Sequence, residues 1–175
     1  MTYSEFMTFE LASTEKHEWV NGEVFAMTGG SIEHARLIAA ISRELGELLR
    51  GKPCVPYSSD LRVRSEVTEF SSYPDQLVIC GPPRAYSGDE YSVTNPTLIV
   101  EVLSPSTEAY DRGAQSRHYR LMPSVQEVLL VSQDVRRLEL FRRDGAAWKF
   151  VEAGPGESLR LQSIEVSLGV DAVYG

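Results

Sequence analysis

Apolar positions mark out the elements of this chain. From Ser31 to Arg50 the residues Ile38, Ile41, Leu45, Leu48 and Leu49 recur at the spacing of one helical face. Ser31 can cap the start and Gly51-Lys52-Pro53 stops the pattern, so a core helix is expected there. Upstream, Tyr3 to Leu11 carries a weaker helical pattern. His17 to Val20 and Glu23 to Met27 flank Asn21-Gly22, a pair suited to the positive φ angles of a two-residue hairpin turn. Three strand patterns follow, at Val55 to Arg64, Gln76 to Cys80 and Thr97 to Leu103. The last is an almost continuous apolar run, as expected of a strand buried on both faces. Asp111 can cap a second helix that reaches Met122, where Pro123-Ser124 ends it, and Glu127 to Val131 reads as the next strand, which gives a βαβ crossover. Arg137 to Arg142, a turn at Asp144-Gly145 and Trp148 to Val151 predict an antiparallel meander leading to a short strand near Ser163 to Val166.

That order predicts an α/β fold with a mixed central β-sheet flanked by helices, an N-terminal β-hairpin and a C-terminal antiparallel meander, in a single domain over residues 1–175. Composition changes the picture little: 42% hydrophobic and 24% charged residues exclude a disordered or collagen-like chain. No apolar run approaches the ~20 residues that cross a bilayer. The first residues carry Glu5, Glu10, Glu15 and Glu18 where a leader would be basic and apolar, so a cytoplasmic protein without a membrane partner is expected. Cys54 and Cys80 lack C-x-x-C spacing and read as small buried hydrophobes in a reducing compartment. Charge is more informative. With 17 basic and 25 acidic side chains the net charge is -8, which repels a polyanion unless basic residues cluster or a divalent cation intervenes. A nucleic-acid coating protein is disfavoured and a metal-dependent nuclease is not.

The anomaly in the pattern is Glu101, inside Leu98-Ile99-Val100-Glu101-Val102-Leu103. A carboxylate in a doubly buried strand costs several kcal/mol unless it is paired, protonated or bound to a cation. An ion pair with Arg112 or Arg117 would satisfy it, and so would a metal. Asp75 opens the strand Gln76 to Cys80 after Pro74; alone it reads as a turn residue bonding its own backbone. If the two strands are neighbours, Asp75 and Glu101 can converge on a hard divalent ion. His34 lies on the core-facing stripe of the long helix, either as a hydrogen-bonded histidine at the core edge or as a phosphate or water contact at the helix start. Asp60 alternates with Arg62 and Arg64 and reads as part of a sheet-face salt bridge. Tyr86 and Tyr91 fall in the polar stretch Gly81 to Asn95, where they either stack on a base or are ordinary exposed loop tyrosines. No G-x-S-x-G elbow and no Gly-rich phosphate loop is present, which demotes acyl transfer and nucleotide binding.

Pro74-Asp75, Glu101 within Ile99-Val100-Glu101-Val102-Leu103-Ser104-Pro105-Ser106-Thr107, and Tyr110-Asp111-Arg112-Gly113 together resemble a restriction endonuclease family of the PD-(D/E)XK nuclease superfamily, formerly a domain of unknown function. The resemblance spans nearly the whole chain, including Glu18-Trp19-Val20-Asn21-Gly22-Glu23-Val24, Ser59-Asp60-Leu61-Arg62-Val63 and Pro123-Ser124-Val125-Gln126-Glu127. It implies a restriction-endonuclease-like core and a magnesium-dependent (or manganese-dependent) endonuclease acting on DNA, with Asp75, Glu101 and Glu23 as metal ligands, aided by the Val102 carbonyl. His34 matches a recurrent Ser-x-x-His. The lysine expected in the Asp-Arg-Gly-x-Lys context is Gln115 here, and a glutamine can orient water but supplies no positive charge. Arg112, on the same helical face as Gln115, reads either as a surface arginine near the helix start or as the replacement cation. Local phosphate contacts fall to Arg62, Arg64, Arg84 or Arg112. The alternative is a catalytically inactive nuclease-fold module that binds nucleic acid or protein. A homodimer would suit an enzyme that cuts both strands.

Overall fold

The computed structural model describes residues 1–175. Helix α1 (Tyr3–Ala12) begins with a capping box in which Thr2 and Glu5 satisfy each other's backbone N–H groups. Strands β1 (His17–Val20) and β2 (Glu23–Ala26) form the hairpin, turning through Asn21 at φ 48° and Gly22 at φ 91°. Helix α2 (Ile32–Leu48) is capped by the Ser31 hydroxyl, which accepts the His34 N–H. Seven strands follow: β3 (Cys54–Ser58), β4 (Arg62–Ser65), β5 (Phe70–Ser72), β6 (Gln76–Cys80), β7 (Ala85–Tyr86), β8 (Asp89–Val93) and β9 (Leu98–Val102). The crossover comprises α3 (Glu108–Tyr110), one π-helical turn (Asp111–Gln115) and α4 (Ser116–Leu121). Strands β10 (Glu127–Val131), β11 (Leu138–Asp144) and β12 (Ala147–Ala153) form the meander. The chain ends in β13 (Ser158–Leu161), a 3-10 turn, β14 (Val166–Gly169) and α5 (Val170–Tyr174).

The central sheet has the order β12-β11-β10-β9-β6-β3 and is mixed: β9 and β10 run parallel across the crossover while their outer neighbours are antiparallel. A second sheet, β2-β1-β5-β4-β8-β7, packs beside it, and β13 pairs with β14 alone. The faces of the central sheet follow residue parity. Val78, Val100, Val102, Leu129 and Val131 meet Leu37, Ile41, Leu45 and Leu49 of α2 together with the C-terminal hairpin. Leu77, Ile99, Leu103, Val128 and Leu130 meet Tyr119 and Met122 around α4, with Val63 and Phe70 of the second sheet. Each fully buried side chain of this size contributes about 1.5–3 kcal/mol.

Four expectations are corrected. Val55 to Arg64 is two strands in different sheets, because a turn closed by Leu61 N–H on the Ser58 carbonyl at 3.3 Å separates them. The crossover helix does not start at Asp111; it begins at Glu108, and Asp111–Gln115 is a π-helical turn within it. The last strand is a separate hairpin, Ser158–Leu161 with Val166–Gly169. Cys54 and Cys80 face each other across β3 and β6 and are joined in a disulfide. No helix is long and apolar enough to cross a membrane.

Candidate active site

Strand register builds the centre of the site. Gln76 pairs with Val100 in the antiparallel β6–β9 ladder, so the next step outward sets Asp75 opposite Glu101. Parity puts Glu101 on the Ile99–Leu103 face, where a hydrophobic residue would otherwise meet Tyr119. Each acid holds the backbone of the strand that carries the other. The Asp75 N–H donates to Glu101 Oε2 (3.2 Å), and the Val102 N–H donates to Asp75 Oδ2 (2.7 Å). Asp75 thus accepts from the facing strand instead of its own turn. The Tyr119 hydroxyl donates to Glu101 Oε1 at 2.7 Å, and His34 Nε2 lies 3.2 Å from Asp75 Oδ2. No arginine pairs with Glu101. Burial, reinforced by the Asp75 charge, pushes the Glu101 carboxyl well above the usual range. The Asp75 hydrogen bond raises the His34 imidazole pKa and favours its charged form. A Cβ on Gly30 would sit 2.3 Å from His34 Nδ1, so the glycine before the cap leaves room for the ring.

The crossover and the hairpin supply the walls. Glu18 on β1 is buried, accepts from the Tyr110 hydroxyl at 2.5 Å, and is pushed up to about 7, chiefly by burial. Asp111 accepts from Thr107 Oγ1 at 2.6 Å and is pushed up to about 6 by burial, with the charge of Asp75 adding to the effect. Gln115 is 5% exposed, lines the cavity, and its Oε1 has no hydrogen-bond partner. His118 stacks on Phe70 with ring centroids 4.5 Å apart. These groups enclose a cavity of about 720 Å³ lined by 26 residues, none of them lysine or arginine.

Several expected site residues stand elsewhere. Glu23 is exposed at the cavity rim, because β2 is the outer strand of the hairpin, and it does not close a three-carboxylate cage with Asp75 and Glu101. Arg112 does not line the cavity; Glu108 and Glu139, each at 2.7 Å, hold its guanidinium. Arg62 and Arg64 are buried: Arg62 is paired with Asp89 at 3.0 Å, and Arg64 lies against Tyr3, Trp19 and Tyr86. Asp60 pairs with Lys16 on the surface at 2.7 Å. Tyr86 packs on Tyr3, while Tyr91 is exposed.

The Uma2 family model, described as "Putative restriction endonuclease", matches residues 3–172. The chain belongs to the Uma2 family. Among its relatives, "Uncharacterized protein slr1290" of Synechocystis sp. is 37% identical over 171 residues, which is 97% of this chain and 89% of that one. "Uncharacterized protein sll1609" of the same organism is 34% identical over 145 residues, covering 83% of this chain and 82% of that one. The fold matches the crystal structure of "a putative nuclease belonging to DUF820" from Anabaena variabilis with a TM-score of 0.77 at 14% identity, covering 99% of this chain and 97% of that chain. The fold is therefore nuclease-like.

The donors present suit magnesium. That ion keeps several waters and is commonly held by one or two carboxylates, so a pair without a full cage is sufficient. Glu101 is a buried carboxylate with no cationic partner, and Gln115 Oε1 is a buried oxygen with nothing to accept from. Two cavity acids went unrecognised from the sequence. In the sequence Glu18 reads as a hairpin residue and Asp111 as a helix cap, yet both are more deeply buried than Glu23. A signal for Glu18 existed, since it shares a strand face with Val20, whose partner is Glu23.

Proposed function

We propose that this Uma2 protein is a magnesium-dependent (or manganese-dependent) endonuclease acting on DNA, with Asp75 and Glu101 as the ion's protein ligands and the Val102 carbonyl as a further donor. The single observation that supports it best is the pair itself: a buried glutamate with a raised pKa, locked opposite an aspartate, and no arginine on either. A bound ion would supply positive charge at the scissile phosphate and acidify water beside it. The protein's own groups orient the rest. Tyr119 and the Asp75 N–H fix the Glu101 carboxylate, so its geometry is set before substrate arrives. His34 holds Asp75 through Nε2 and lines the cavity, where its ring can donate to a phosphate oxygen. Gln115, with its free carbonyl, can accept from an attacking water, but cannot offset the charge that develops on phosphorus.

Glu101→Gln tests the reading. Calorimetric titration with magnesium should show binding to the parent protein and none to the variant, with no fall in melting temperature, since a buried charge is removed. Magnesium-dependent cleavage of plasmid DNA should vanish in parallel. A parent protein that binds no magnesium would refute the metal site, and a variant that also unfolds would assign Glu101 a structural role instead. The second reading, a binding module without turnover, draws on Gln115 in place of lysine and on the lack of any lysine or arginine in the cavity wall. Magnesium binding without cleavage selects it.

A further inference from the structure

The basic side chains of this acidic chain are largely occupied. Lys16, Arg36, Arg43, Arg62, Arg112 and Arg142 each sit within 3.0 Å of a carboxylate oxygen. Lys52, Arg84, Arg117, Arg120, Arg143 and Arg160 have no carboxylate partner, and of these Arg117, Arg120 and Arg143 stand together. Arg117 and Arg120 lie one turn apart on α4, and Arg143 on β11 donates to the Arg120 carbonyl at 3.1 Å and to the Met122 carbonyl at 2.8 Å. The Arg120 guanidinium lies 4.7 Å above the Phe141 ring, and Arg143 lies 4.6 Å above Trp148, so both are held in fixed positions. Arg117 is exposed and makes no hydrogen bond. Its charge acts on its neighbours: behind burial, it is what pushes the His118 and Arg120 pKa values down.

Like charges gathered without a counter-ion, in a protein with 25 acidic side chains, suit an anion that arrives from outside. The location adds the rest. Helix α4 continues directly from Gln115, and His118, between the two arginines, lines the cavity. The cavity wall carries no lysine or arginine, and Arg62, Arg64 and Arg112 are engaged elsewhere. The free cations on α4 therefore adjoin the cavity wall through His118.

We propose that Arg117 and Arg120, backed by Arg143, form a docking strip for the sugar–phosphate backbone that flanks the bond held in the cavity. The strip rests on the nuclease reading for its ligand, but it is measured without cleavage. Binding of a fluorescein-labelled DNA oligonucleotide is followed by anisotropy over a salt series in EDTA, for the full chain and for Arg117→Ala, Arg117→Glu and Arg120→Gln. Arg50→Ala, at the far end of α2, serves as the control, and circular dichroism checks the fold. Arg117→Ala and Arg120→Gln should each weaken binding by about 3-fold to 10-fold and flatten the plot of log affinity against log salt by about 0.7–0.9. Arg117→Glu should weaken it further, and Arg50→Ala should change nothing.

Unchanged affinity and slope in the Arg117 variants, or a parent protein that binds no DNA, would overturn the strip. A labelled polyglutamate peptide that binds as tightly as DNA would also overturn it, in favour of an acidic protein partner. A parent protein that binds DNA through Arg117 but never cleaves it would uphold the strip and refute the nuclease reading. One that cleaves with the same KM after Arg117→Glu would refute the strip alone.

Discussion

Glu18 offers a sharp test of the electrostatics around the cavity. It is 7% exposed, accepts one hydrogen bond from Tyr110, and has its pKa pushed up to about 7 because burial disfavours its charge. The folded-state pKa is raised above the unfolded value of 4.5, so the folded protein holds the extra proton between pH 4.5 and about 7. Stability therefore falls as pH rises through that window, and above it the full cost is present. At about 1.4 kcal/mol per pH unit, that cost is about 3 kcal/mol. Glu18→Gln removes the charge and keeps an oxygen for the Tyr110 hydroxyl. At pH 8.5 in EDTA the variant should be more stable by about 2–3 kcal/mol, or about 5–10 °C in Tm for a chain of this size. At pH 4.5 the gap should shrink to about 0.5 kcal/mol. Asp111 and Glu101 are present in both proteins, so the difference reports residue 18 together with its coupling to Asp111. Urea and thermal melts at the two pH values measure it. A gap that does not change with pH, or a variant less stable at pH 8.5, would show that the Glu18 carboxylate is ionised at no cost.

Other substitutions probe separate parts of the molecule. Gln115→Lys should raise magnesium-dependent plasmid cleavage by about 10-fold or more, since one charged donor at a developing oxyanion is worth up to about 2.7–4 kcal/mol, and Gln115→Ala should lower it; equal rates in all three proteins would show that residue 115 does not meet the reacting water. Asp89→Asn leaves the Arg62 guanidinium buried without its counter-ion and should cost about 3–5 kcal/mol in urea unfolding, so a loss below about 1 kcal/mol would refute the buried pair. Reducing Cys54–Cys80, which are 26 residues apart, should cost about 3–4 kcal/mol through the freed unfolded chain, read as a lower Tm in dithiothreitol; an identical Tm in both buffers would show that the thiols are not bridged.

Local periodicity made the central sheet legible and failed where long-range packing decides. The pattern at Glu127 to Val131 coincides with β10, and the Asn21-Gly22 hairpin and the Ser31 cap fall where their residue types require. Alternation along Arg62-Val63-Arg64 looked like one solvent face and one core face, yet all three residues are buried, because Tyr3, Phe6 and Trp19 from the N-terminal segment cover the charged side. Sequence parity cannot distinguish water from a remote helix. The cysteines failed for the same reason: counting them tests for a disulfide scaffold, whereas their pairing depends on the β3–β6 register, a non-local fact.

At the site, what could be read was what the β6–β9 ladder fixes. An acid that interrupts an apolar run and another at the mouth of a neighbouring strand become opposite residues once the two strands pair, so Asp75 and Glu101 were visible in advance. Glu18 and Glu23 share one face of the hairpin, and only the pairing of β1 with β5 shows that Glu18 lies inward and Glu23 at the rim. The crossover adds a different difficulty. Regular α-helical phasing grouped Arg112 with Gln115, whereas the π-helical turn carries Asp111 and Gln115 into the cavity wall and leaves Arg112 to Glu108 and Glu139. The one cation expected near the carboxylates is thereby withdrawn, and Glu18, Asp75, Glu101 and Asp111 face a wall whose only cationic candidates are His34 and His118. Such a wall attracts a phosphate only after a divalent cation has changed its sign, so the absence of lysine and the crowding of acids are two consequences of one arrangement.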